Sequence, residues 1–469
     1  MNSKLVSLFC CLIMLVSFSG CTKVTQLVKD NQPTKAELLA EINEEHQRWE
    51  AAPAADPTPY LRHYDDPADA QKYLDYVTDT YSEYDAEKEL TVEEAKEDVN
   101  YLFDAFYYDF AFYDYFGGHT VFDQAKAEIL QELQAKDSLT CKDLQEILVK
   151  HLTFIKDGHF NINHNFPAEK EIPFFFRQVM FVKTDSGYQD SKGKTVVSVD
   201  GYPDLDALFK RSISKEGYLV YYPVLLKEAK FDGTEWDKHV CNEQLTVHYA
   251  DGSTDVLTAD TWRQYYKDLP KGQNTDLRQT DGIPVFQFNS FDGSFLQEVN
   301  AAAAQMSDAA ISMLDLRSNV GGYEEVARQW FNRYSRQQVF STGVRYSVLP
   351  ASLVASPSTS KTPRASNDNI LILLSGKCSA SCAEITLDIS YNLDNSLIIG
   401  ENTNGSMISN SGHIELPNSK CPVTMTASTV YLTPDGSDYF EELRGFFPDI
   451  WVPAKEAETL AAKLMENLK

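Results

Sequence analysis

The sequence predicts an α/β fold: a mixed sheet covered by helices over residues 280–455, preceded by a helical region at 58–165 and a β-rich segment at 166–275. Three observations carry this reading. In the C-terminal half, strand-like runs (PVFQFNSF, ISMLDLR, NILILLS, NSLIIGE) alternate with helical stretches near 295–307, 323–334 and 382–392. Upstream, apolar residues recur at helical spacing in Val92, Ala95, Val99, Leu102, Phe103 and Phe106, behind a capping box of Thr91 and Glu94. Between these regions the spelling becomes strand-like (VMFVKT, KTVVSVDGYP), with a hairpin signal at Asp251-Gly252 between alternating runs.

The chain opens on MNSKLVSLFCCLIMLVSFSGC: Lys4, an apolar run too short for a mature anchor, then Ser19-Gly20-Cys21. This resembles a bacterial lipoprotein signal over residues 1–20, with Cys21 as the lipidated residue. It implies a body tethered by lipid in the cell envelope, at the outer membrane and periplasm or on the cell surface. Residues 21–57 are polar, end in AAPAADPTP and read as tether. The formal charge of −27 argues against nucleic acid and against a basic membrane-docking face. Beyond Cys21 the cysteines are Cys141, Cys241, Cys378, Cys382 and Cys421. They form no CxxC pair of metal-site type; Cys378 and Cys382 either pair with each other or with Cys421, or are small buried residues. No metal, phosphate or dinucleotide signature is visible, and no cofactor is expected.

In the helical region, Leu144, Ile147, Leu148, Leu152 and Ile155 predict a helix stopping at Asp157-Gly158, followed by a strand with Phe160, Ile162, His164 and Phe166 on one face. His159 then lies at a helix-to-strand junction, where a side chain reaches a cleft. The aromatic run Tyr101 to Phe116 reads as core more readily than as groove lining. Residues 456–469 predict a closing helix.

The segment NILILLSGKCSASCAEITLDI carries the chemistry. A buried-type strand, Ile370 to Leu374, runs through a Ser-Ala-Ser turn into a helix with Ile385, Ile389 and Leu393 on one face. Ser381 is thereby set at a helix N-terminus, where free amides and the dipole favour an oxyanion. An isolated serine there is usually only an N-cap. Three further segments change that: DLRSNVGG (Asp315 to Gly322), GENTNG (Gly400 to Gly405) and GFFPDIWVP from Gly445.

In this order, DLRxNxGG, SxSxAE, GExTxG and G-x-x-PD-x-x-V, the four motifs resemble the tail-specific, or C-terminal processing, serine peptidases. The resemblance spans about residues 280–455 and implies the ββα superhelix of ClpP- and crotonase-type proteins, with a β-rich, PDZ-like insert at 166–275. The glycine-leucine-type carboxylate loop of a true PDZ domain is not evident. One branch of the family carries a general-base Lys directly after GExTxG; here that residue is Ser406. The tricorn-like branch uses a His and a Glu instead. The resemblance then implies Ser381 as nucleophile, His159 of the DGH tripeptide as base and Glu442 as the orienting acid, with Glu441 its neighbouring competitor. His119, His164 and His413 rank below His159, and His151 reads as structural. The oxyanion hole would join the Cys382 amide to one from Gly321 or Gly322. The implied activity is that of a serine-type endopeptidase on polypeptides. Two rivals stand beside it: a peptide-binding lipoprotein that has lost turnover, and a hydrolase of non-peptide acyl bonds. Oligomeric state is not legible.

Overall fold

The computed structural model describes residues 24–50, 52–66, 68–69, 72, 76, 82–229, 241–265, 269, 273–348 and 364–468. The signal and Cys21 lie outside them. Among the described residues no helix is long and apolar enough to cross a membrane.

The first long helix, α1 (Lys35–Gln47), lies in the stretch read as tether. It opens on a capping box of Thr34 and Glu37 and buries Leu38 and Ile42 in the core of the main sheet. Polar tethers carry no such pair one turn apart, so this part of the 21–57 spacer is instead structural. Next come α2 (Val92–Asp109), α3 (Gly118–Gln134) and α4 (Cys141–His151). Phe103, Phe106, Phe110, Phe112 and Phe122 from this region are buried together, which makes the aromatic run mainly core. The end of α4 departs from expectation: the helix closes at His151, and residues 152–160 form a loop that carries the DGH tripeptide. The strand expected after it is only Asn161–Ile162, because Asn163 and His164 take positive φ (48° and 63°) and turn the chain back.

The β-rich region contains β1 (Lys170–Phe175), β2 (Phe181–Thr184), β3 (Gly187–Asp190), β4 (Val196–Val199), β5 (Phe209–Ile213), β6 (Leu219–Ala229), β7 (Gln244–Tyr249) and β8 (Thr254–Thr258). The order β1-β6-β2-β3, with β5 also on β6, makes one sheet; β8-β7-β4 makes another. The β7–β8 hairpin turns at Asp251-Gly252 as its sequence predicts, with Gly252 at φ 81°.

The main sheet then forms from β9 (Thr275–Thr280), β10 (Ile283–Phe288), β11 (Ile311–Asp315), β13 (Ile370–Ser375) and β14 (Ser396–Gly400) in that spatial order, closed by the two-residue strand Ile450–Trp451. All pairings after β9–β10 are parallel. Helices α5 (Leu296–Met306), α6 (Glu324–Ser335), α7 (Cys382–Ser390) and α8 (Ala457–Asn467) cover it. This is the mixed, helix-covered sheet that the alternating pattern predicts. A separate antiparallel sheet of β12 (Val344–Ser347), β16 (Pro422–Leu432) and β15 (Ser409–Glu415) takes Asn161–Ile162 onto β16 and packs on the aromatic core of α2 and α3. The DGH loop is thus pinned between the helical region and the C-terminal half. All five described cysteines are free thiols.

Asp315 and Arg317 of DLRSNVGG are buried beneath the end of the sheet. Arg317 pairs with Asp315 at 2.7 Å and Glu458 at 2.7 Å and donates to the Ala454 carbonyl at 2.8 Å; Arg278 joins the same carboxylates. Arg317→Ala leaves Asp315 short of its main partner, and we expect a loss of about 3 kcal/mol or more in urea unfolding. Arg336→Ala, which breaks an exposed pair with Asp308, is expected to leave the midpoint unchanged.

Candidate active site

Ser381 lies on a strained elbow. β13 is buried along its length and leads through Gly376–Ala380 into Ser381, which adopts φ 55° and ψ −118° immediately before α7. That region costs a residue with a side chain about 1–3 kcal/mol, so something must hold it. The Ser381 N–H donates to Glu384 Oε2 at 3.0 Å. The Ala380 N–H donates to the Asn319 carbonyl at 3.0 Å, and Ser379 Oγ donates to the Leu316 carbonyl at 2.8 Å, so DLRSNVGG and the elbow are bonded into one unit.

The glycine pair divides its work. A Cβ on Gly321 would sit 2.8 Å from Ser381 Cβ, and φ is 103°, so only glycine allows this approach. Its amide, however, donates to Asn319 Oδ1 at 2.8 Å and is not available to an oxyanion. This corrects the expectation that either glycine could serve. Gly322 is exposed, and the bonds that anchor it use its neighbours: Phe291 N–H to the Gly321 carbonyl at 2.7 Å and Tyr323 N–H to the Phe291 carbonyl at 2.8 Å. The Gly322 amide stands outside those bonds. Its counterpart is the amide of Cys382, the first of α7, which has no intrahelical acceptor.

The DGH loop meets this unit through GENTNG. A Cβ on Gly158 would lie 2.0 Å from the Gly405 carbonyl oxygen and 2.7 Å from Ser406 Cα. Gly405 and Ser406 in turn donate their amides to Glu384 at 2.7 and 2.9 Å, the same carboxylate that holds Ser381. His159 is half-buried, with Nδ1 2.9 Å from Ser409 Oγ and its own N–H on Asp157 Oδ1 at 3.0 Å. Burial lowers its pKa to about 4; Asp157 opposes the shift, while Lys170, Arg345 and His413 add to it.

Glu442 reaches the loop but not the ring. Its Oε1 accepts the Gly158 N–H at 2.8 Å and its Oε2 the Ile408 N–H at 3.2 Å. Burial, then the charges of Asp157 and Glu384, push its carboxyl well above the usual range. The sequence suggested that Glu442 orients the imidazole, directly or not; both its oxygens end on backbone amides, so what it holds here is the backbone of the loop. Glu441 is exposed and paired with Arg444 at 2.5 Å, which separates the two neighbours. The other histidines are elsewhere engaged: His119 with Asp65 at 3.0 Å, His151 with Glu132 at 2.7 Å, His413 with Thr424 Oγ1 at 3.2 Å, while His164 is exposed.

Three participants were not singled out from sequence. Lys170, at the start of β1, is fully buried; its Nζ donates to the Gly158 carbonyl at 2.9 Å and to Asn404 Oδ1, and burial lowers its pKa to about 8. A lysine opening an apolar run carries no sequence signal of this. Ser409 and Glu384 are the others; Glu384 lies inside SxSxAE and was legible as motif, not as ligand of the elbow. Among the described residues no cluster of metal-binding type occurs. A cleft of about 320 Å³ lies alongside, lined by Tyr60, Tyr115, Ile408, Phe440 and Glu442, so one end of the aromatic run does face open space.

Ser406 is 3% exposed and donates to Asn404 Oδ1 at 3.0 Å, the acceptor shared with Lys170. Ser406→Lys would put a second ammonium beside the first. The expected result is no gain in peptide hydrolysis and a stability loss of about 3 kcal/mol or more in urea unfolding.

The family model described as peptidase family S41 matches residues 282–452. No curated protein matches the chain. Solved structures with distant likeness include mature CPAF (13% identity, TM-score 0.42, covering 81% of this chain and 97% of that one). Others are the photosystem II D1 C-terminal processing protease (13%, 0.37, 80% and 97%) and a putative S41 protease from Bacteroides fragilis (13%, 0.34, 69% and 90%). Residues 282–452, whose four motifs are bonded around one elbow, are thus similar to peptidase family S41.

Proposed function

We propose that this chain is an active serine endopeptidase of Ser-His type, working on polypeptides of the cell envelope or its surroundings from a lipid tether at Cys21. The observation that carries the reading is the strained Ser381, pressed against Gly321 at a helix N-terminus with the Cys382 and Gly322 amides outside other bonds. Ser381 Oγ attacks the peptide carbonyl as its proton passes to His159 Nε2, and the two amides take the oxyanion. Collapse of the tetrahedral species breaks the C–N bond while His159 returns the proton to the leaving amine. Water then repeats the sequence on the acyl-enzyme. Glu442 serves by fixing Gly158, and so the ring's position, rather than by touching the imidazole. The β-rich region at 166–275 would act as a PDZ-like substrate module beside a ββα-superhelix catalytic domain at 280–455.

The test is labelling of the purified protein with a fluorophosphonate probe, followed by hydrolysis of a casein-derived peptide mixture. Ser381→Ala should abolish both. His159→Ala should lower turnover about 10⁴-fold or more, since members of such a set act as a unit. A folded wild type that does not label would point to a peptide-binding protein without turnover.

The pH profile follows from the environment of His159. Its folded-state pKa is depressed, so the ring stays neutral as pH falls below 6.5 and gains a proton only on approach to about 4. The acid limb of kcat/KM is therefore expected below pH 6. A limb at 6.5 or above would assign the titration to a group other than His159.

A further inference from the structure

We propose that Asp157, acting through the hydroxyl of Ser409, is the acid that sets His159 for catalysis; the inference rests on reading His159 as the base. Both are positioning residues. The argument is one of proton counting. The Asp157 side chain is buried. Its Oδ1 takes the backbone N–H of His159 at 3.0 Å and the Ser409 Oγ–H at 2.9 Å, and its Oδ2 takes the Thr426 hydroxyl; each of these hydrogen bonds is one that it accepts. A serine hydroxyl has one proton, and Ser409 gives it to Asp157. What Ser409 presents to His159 Nδ1, 2.9 Å away, is then a lone pair, so Nδ1 must carry the ring proton. In the neutral ring this leaves the lone pair on Nε2, the tautomer that can accept a proton from a serine.

The placement is built into the fold. Ser409 opens β15, where the register against β16 shifts between Ser409 and Ser411, and it is buried. Thr426 belongs to β16, so the carboxylate is held by two strands of one sheet and by its own loop. Glu442 has no comparable reach, since both its oxygens end on backbone amides. The charged and titratable groups around the ring are Asp157 on its own loop, Lys170 from β1, Arg345 from β12, His413 from β15 and, across the Gly158 amide, Glu442. Of the carboxylates, only Asp157 has a hydrogen-bonded path to the imidazole. When Nε2 is protonated, the positive ring therefore faces the Asp157 charge through one hydroxyl.

The experiment compares wild type, Ser409→Ala, Ser409→Thr and Glu442→Gln. It reads kcat and KM for a peptide substrate and the imidazole 15N shifts of labelled histidine. The expected result is a single Nδ1–H tautomer at His159 in wild type, lost in Ser409→Ala together with about 10- to 100-fold in kcat and little change in KM. Ser409→Thr, which keeps a hydroxyl, should recover the tautomer and most of the rate, and Glu442→Gln should keep the tautomer. The relay is overturned if Ser409→Ala retains the tautomer and rate. It is equally overturned if threonine is as impaired as alanine, which would mark a packing role. The tautomer can be read in protein that does not turn over, so failure of the Ser-His peptidase reading, seen as an unlabelled wild type or a His159→Ala that labels normally, is separable from failure of the relay.

Discussion

One buried carboxylate holds the site together. Glu384, with no exposed surface, accepts the amides of Ser381 (3.0 Å), Gly405 (2.7 Å) and Ser406 (2.9 Å) and the hydroxyl of Thr403 (2.5 Å). Burying a carboxyl without such partners costs several kcal/mol; four donors converging on one group return much of that and fix geometry as well. Burial still raises its pKa, against the pull of those donors. Because the ligands come from both the elbow and GENTNG, the left-handed turn at Ser381 and the floor beneath the DGH loop cannot move independently. The glutamate of SxSxAE and the threonine and glycine of GExTxG are the two halves of this single bond network.

A second set of charges sits one layer out. Lys170 lies under the Gly158 carbonyl, Asp157 and Glu442 bracket the same turn, and His159 is at its end. Burial, with Lys170 adding to it, keeps the imidazole from charging, while Asp157 favours the imidazolium. In the proposed mechanism, ground state and transition state are thus served by different neighbours: a neutral ring at rest, and a carboxylate reached through the Ser409 hydroxyl when a proton arrives. Glu442, raised in pKa among negative neighbours, contributes through its two backbone contacts.

What sequence reasoning could see follows from periodicity and contiguity. The strands ISMLD, ILILLS and SLIIG, the helices that separate them and the Ser381 elbow were legible because each is a local pattern. α1 does not show in the sequence because its amphipathic face is only Leu38 and Ile42 among charged residues, and its burial depends on β14 and Asp449 from the far end of the chain. The strand after His159 failed because alternation continued through Asn163 and His164, whose left-handed φ no pattern of polarity reveals. The convergence of Lys170 and Ser409 on Asp157 and its loop is not legible for a different reason. They converge from positions up to 252 residues apart, and a hydroxyl or a lysine has no spacing signature of its own.

The serine at position 406 also acquires a physical meaning. A lysine base there and a DGH loop at its present depth compete for the same space: Gly158 already packs so closely on Gly405 and Ser406 that a single methyl group would lie 2.0 Å from a carbonyl oxygen. A four-carbon side chain at 406 would have to displace the loop that carries His159, and its ammonium would meet Lys170. In this chain the small residue at 406 is what lets the DGH loop pack so closely on GENTNG. The absence of a lysine is therefore compatible with the proposed Ser-His arrangement, in which the base is carried on the DGH loop. A cation beneath the loop, Lys170, comes from β1 instead of from GENTNG itself.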